Sequence, residues 1–93
     1  MPLRQFLLSV VAGPSRDVIR ASAKSGQKLH FVCQDENKEL DEFDLCIASD
    51  IKEDDVSQTL VFAAIDSAGL TWSLSYSPEL CEGNMVRTFG KSG

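Results

Sequence analysis

The stretch from Gln58 to Pro78, QTLVFAAIDSAGLTWSLSYSP, constrains this chain more than any other. Its second half alternates strictly, with Leu70, Trp72, Leu74 and Tyr76 on one side and Thr71, Ser73 and Ser75 on the other. Period-two alternation is the pattern of a strand with one buried face. Leu60 to Ile65 is an unbroken apolar run, which suits a strand covered on both faces. Between them, Asp66-Ser67-Ala68-Gly69 is turn chemistry, since Asp can hydrogen-bond to nearby backbone and Gly takes positive φ without steric cost. A β-hairpin follows, with Ile65 opposite Leu70, Ala63 opposite Trp72 and Val61 opposite Leu74. The competing element is a helix over 57–68, capped by Asp55 or Ser57 and stopped by Gly69; Val61, Phe62 and Ile65 favour the strand.

On the N-terminal side, Gln5 to Ala12 reads as a largely buried first strand, stopped by Gly13-Pro14. Ser15 is an N-cap residue for a helix over Arg16–Lys24, which would turn Val18, Ile19, Ser22 and Ala23 inward and end near Gly26. The same residues, 15–24, could form a strand, but the cap favours the helix. Further strands are expected at 28–33 and at Phe43–Ala48, joined by a polar loop from Asp35 to Glu42. Asp50 to Asp55 is a second acidic connector, Gly83-Asn84 a turn, Met85–Phe89 a short edge strand, and residues 90–93 a frayed end. The expected fold is α+β in a single domain over 1–93: a small antiparallel sheet of four or five strands with one or two short helices. An all-β meander or sandwich is the alternative.

No window reaches the roughly 18 apolar residues that a membrane span requires. The apolar stretch after Arg4 has the order of a secretory leader but sits at the short limit for one, and it reads better as a core strand. The three cysteines, Cys33, Cys46 and Cys81, are an odd and sparse set and do not read as a disulfide framework. That favours a reducing, intracellular setting such as the cytoplasm. Charge is segregated along the chain. Residues 1–34 carry five bases and one acid, whereas residues 35–55 carry ten acids against Lys38 and Lys52.

Several groups could carry chemistry. Matching Leu29, Phe31 and Cys33 with Ile47, Leu45 and Phe43 places His30 opposite Cys46 and Val32 opposite Asp44 on the other face. A thiol beside an imidazole, with a carboxylate to orient it, is the minimal set for cysteine-dependent catalysis, and His30, Asp44 and Cys46 are the candidates. The sequence supplies no oxyanion hole to go with them. It has no Cys-x-x-Cys pair, and His30 and Cys33 would face opposite sides of a strand, so neither a metal nor a cofactor is expected. The segment Val11 to Arg20, VAGPSRDVIR, is similar in spacing to the phosphate-cradling loop of acylphosphatases, with Pro14 and Asp17 departing from that pattern. It makes Gly13, Ser15 and Arg16 candidates for holding an anion at the helix start. Arg16, Arg20 and Lys24 form a basic ridge with no interleaved aromatics, which reads as a solvated helix face and argues against nucleic acid.

The acidic middle is the strongest functional signal. Asp35, Glu36, Glu39, Asp41, Glu42, Asp50, Glu53, Asp54 and Asp55 are the candidate contacts to a basic partner surface. The expected function is a small regulatory protein-interaction or inhibitor module, with possible homodimerisation through a sheet edge. The runners-up are the cysteine enzyme and the anion binder.

Overall fold

The computed structural model describes residues 4–89. Eight elements follow one another as β1 (Arg4–Ala12), α1 (Arg16–Ser25), β2 (Leu29–Gln34), β3 (Leu40–Ile47), β4 (Lys52–Glu53), β5 (Leu60–Ile65), β6 (Thr71–Ser77) and β7 (Glu82–Phe89). Every paired strand is antiparallel, in the order β3-β2-β1-β7-β6-β5-β4. A further pairing of β3 with β5 closes six of them into a barrel. The open α+β sheet expected from the sequence is therefore corrected to a closed antiparallel barrel with one helix. Among the described residues the second helix considered for 57–68 is absent, and β5 takes its place.

Closure explains several other differences. β7 is no edge strand, because it lies between β1 and β6. Among the described residues the ring leaves two stretches of free edge: the outer side of β3 over Leu40–Leu45, which meets β5 only at Cys46 and Ile47, and the free side of two-residue β4. A single-layer wall also has one inside and one outside, so the apolar run of β5 is not covered twice. Leu60, Phe62 and Ala64 point into the core, while Val61 and Ile65 stay on the surface.

The hairpin β5–β6 forms in a register one residue away from the expected one, with Ala64 opposite Trp72, Phe62 opposite Leu74 and Leu60 opposite Tyr76. The turn causes the shift. The Asp66 carboxylate accepts hydrogen bonds from the amides of Ala68 and Leu70 and from the Trp72 indole, at 2.9, 2.9 and 2.8 Å. Leu70 is thereby drawn into the turn and exposed, and Gly69 takes φ 84°. Burial pushes the Asp66 carboxyl up, but the Trp72 and amide donors and the charge of Arg87 outweigh it and hold it below its ordinary value.

The barrel is filled by inward side chains from every long strand: Leu8 and Val10, Leu29, Phe31 and Cys33, Leu45, the β5 residues above, Trp72, Leu74 and Tyr76, and Met85. At one end Phe6 and Phe43 pack on Trp72, with ring centroids 5.9 and 5.4 Å apart, and the Arg87 guanidinium lies 5.1 Å from the Trp72 ring. At the other end Tyr76 meets Phe31 edge to face and donates its hydroxyl to the Pro14 carbonyl at 2.9 Å. Burial drives the Tyr76 phenol up to about 12, so it stays a donor there. Helix α1 is capped as expected, by the Ser15 hydroxyl at its start and by Gly26 at φ 79° at its end. It buries Ile19 and Ser22, while Val18 and Ala23 remain outside.

At Gly83 the backbones of β6 and β7 leave no room for a side chain, and a Cβ there would collide with the Ser75 carbonyl oxygen. Gly83→Ala should lower unfolding free energy by at least about 2 kcal/mol, because backbone must move. Gly69→Ala meets open space and should cost about 1–2 kcal/mol through its left-handed backbone alone. Urea unfolding of both variants checks the order, and a more damaging Gly69→Ala would contradict it.

Candidate functional site

The outer face of β2–β3 brings together part of the predicted catalytic set. Leu29 pairs with Leu45, His30 with Asp44, Phe31 with Phe43 and Val32 with Glu42, two residues away from the expected register. A two-residue slip keeps every side chain on its own face, so apolar patterning accepts both registers. The turn selects between them. Asp35 accepts the amides of Asn37 and Glu39 through Oδ1 and that of Lys38 through its carbonyl, and Lys38 adopts φ 65°. This Asp-centred turn lets β3 start at Leu40, inside what reads as loop from the sequence.

The consequence is chemical. His30 Nδ1 lies 3.0 Å from Asp44 Oδ1, and Nε2 lies 2.8 Å from Glu42 Oε1. Imidazole carries protons on both nitrogens only as imidazolium, so this geometry suits the charged ring. The Asp44 hydrogen bond raises the His30 pKa; partial desolvation opposes it, and Glu42 adds to it. Cys46 lies one step further along the same face, with its thiol 3.9 Å from the Gly26 carbonyl oxygen and no hydrogen bond to His30. With both ring nitrogens on carboxylates, neither is left to take a proton from Cys46. The histidine and the aspartate meet; the thiol is not part of the contact.

The anion candidates are also committed elsewhere. The Ser15 hydroxyl accepts the Val18 amide, and a side chain on Gly13 would strike Tyr76. Arg16 binds both oxygens of Glu79, the Gln58 carbonyl oxygen and Glu53. Arg20 joins it on Glu53. Two residues of the ridge read as a solvated helix face, Arg16 and Arg20, instead form a clamp that ties α1 to β4 and to the loop after β6, while Lys24 stays on the exposed face. Glu79, isolated behind Pro78, carries no local pattern that would reveal this role.

The acidic middle is divided by the fold. Asp35, Glu36, Glu39, Asp41 and Glu42 belong to the β2–β3 hairpin, whereas Asp50, Glu53, Asp54 and Asp55 lie beyond the far end of β3. Even from Glu42, the last of the first group, the strand runs roughly 17 Å further before it ends at Ile47. In the second group Glu53 is engaged by the helix, and Asp54 accepts the amide and hydroxyl of Ser57, which holds its carboxyl below the ordinary value. In the first group Glu42 serves His30, and Asp35 builds the turn.

Cys33 is buried beside Met85 in the core, and burial with nearby Asp41 pushes its thiol up to about 11. Among the described residues no three His, Cys, Asp or Glu side chains are placed to hold a metal ion, and no helix is long and apolar enough to cross a membrane.

The His30 cluster sets a pH dependence. A folded-state pKa above the ordinary value of about 6.5 means stabilisation fully present below that pH and lost as pH rises through the folded value. NMR titration of the His30 ring should give a midpoint above about 6.5, falling toward it in Asp44→Asn. A wild-type midpoint at or below that of the variant would contradict the ion-pair geometry. No protein-family model, curated protein or solved structure matches this chain.

Proposed function

We propose that the protein is a small regulatory interaction module whose β2–β3 hairpin docks on a basic protein surface. One observation carries this reading. Among the described residues Asp35, Glu36, Glu39 and Asp41 form no ion pair, although they crowd the tip of a single hairpin. The partially exposed side chains of Phe6, Leu7 and Leu40 adjoin them. A cleft of about 470 Å³ runs between the start of β1 and this turn, lined by Phe6, Leu7, Gln34, Asp35, Glu36 and Asn37. Apolar floor and acidic rim suit lysine or arginine, whose aliphatic stem packs while its charged head meets carboxylate. The acids beyond β3 contribute less to such docking, since Glu53 and Asp54 have internal partners.

Neutralising Glu36, Glu39 and Asp41 together, as Glu36→Gln, Glu39→Gln and Asp41→Asn, spares the turn-building Asp35. Each change should move stability by less than about 0.5 kcal/mol. Binding of an oligolysine peptide should weaken, mainly through slower association, and added salt should weaken the wild type far more than the variant. Stopped-flow and equilibrium titration at two ionic strengths measure both effects. Equal association rates and affinities at low salt would remove the hairpin from the binding surface.

A further inference from the structure

The wall next to the acidic hairpin carries a second feature. Across β6, β7 and β1 the outward residues Ser75, Asn84 and Ser9 are direct ladder partners, forming a row of neutral polar side chains on adjacent strands. Neighbouring strands set them about 4.8 Å apart. They line a groove of about 680 Å³ whose far side is formed by Ser57, Thr59 and the loop after β6. Ser77 is only 8% exposed and contributes to the same groove. Among the described residues nothing hydrogen-bonds to the side chains of Ser9, Ser75, Ser77 or Asn84. Unpartnered within the protein, these groups offer the groove a short row of donors and acceptors.

The chemistry of the row defines what it can hold. Hydroxyls and a carboxamide each donate and accept, so their complement is a ligand whose groups do the same. Among the described residues Glu82 is the one charged side chain lining the groove, and the chain carries net charge −5, so anions are disfavoured. The apolar lining from Val11 and Leu80 accommodates a carbon framework. The volume falls in the range of small-molecule sites. We propose that this groove binds an uncharged polyhydroxylated small molecule of the carbohydrate class, with Ser9, Ser75, Ser77 and Asn84 as hydrogen-bonding residues. The site shares no side chain with the proposed hairpin surface except Ser9 at its margin, so either can fail without the other.

Titration of the full chain with maltose, followed by amide NMR, tests the site, with glucose 6-phosphate as the anionic comparison. Saturable shifts should centre on residues 9, 75, 77 and 84, with a millimolar Kd and weaker binding of the phosphorylated sugar. Asn84→Ala should weaken maltose about tenfold, the value of one lost hydrogen bond set. Should that variant unfold, Ser75→Ala removes one hydroxyl from the wall with minimal steric change and should weaken maltose in the same direction. Unsaturable or scattered shifts, tighter binding of the phosphorylated sugar, or unchanged affinity in the folded variants would each overturn the proposal.

Discussion

The seam between β3 and β5 is the contact on which the rest of the molecule depends. It consists of Cys46 opposite Ile65 and Ile47 opposite Ala64, extended by the Ala48 amide on the Ala63 carbonyl oxygen at 2.8 Å. Beyond it the chain bulges. Residues 48–51 face only residues 62–63, and the Ala63 amide donates to the Ser49 hydroxyl before β4 resumes pairing at Lys52 and Val61. Without this seam the sheet would keep two open edges and an uncovered inner face. With it, a chain of 93 residues encloses Trp72, Tyr76, Phe31 and their neighbours using a single layer of strands.

What the sequence reveals here is local, and what it hides depends on turns and closure. The alternation in Trp72, Leu74 and Tyr76 identifies an inward face correctly, and Ser15 and Gly26 mark the helix because caps are short-range hydrogen-bond chemistry. Registers were beyond reach, because two side-chain-to-backbone turns, at Asp35 and Asp66, decide them. The Asp66 turn moves the hairpin by one residue, and the Asp35 turn moves β2–β3 by two. Those offsets are small along the chain and large for chemistry. They replace a thiol–imidazole pair by an imidazole held between carboxylates.

Charge segregation along the sequence has a double meaning in the fold. Part of the contrast between the basic first third and the acidic middle is satisfied internally, where Arg16 and Arg20 share Glu53 and Arg16 also takes Glu79. These contacts draw together the helix, β4 and the loop after β6, segments separated by dozens of residues. The remainder has no ion-pair partner among the described residues: Asp35, Glu36, Glu39 and Asp41 at the hairpin tip, and Asp50 and Asp55 beyond the far end of β3. Counting acids along a chain overstates the charge that a partner meets.

The position of β1 bears on how the barrel is made. β1 is laid between β2 and β7, and its pairing with β7 runs from Arg4–Phe89 to Val10–Gly83. A ribosome delivers β2 soon after β1 but β7 only after every other strand. At about 5–20 residues per second, β1 spends several seconds with one side of its backbone unpaired. Leu7 and Val11, exposed on the finished wall, accompany that open side throughout the wait. The nascent barrel therefore stays open to strand-mediated aggregation until its last stave, β7, has emerged.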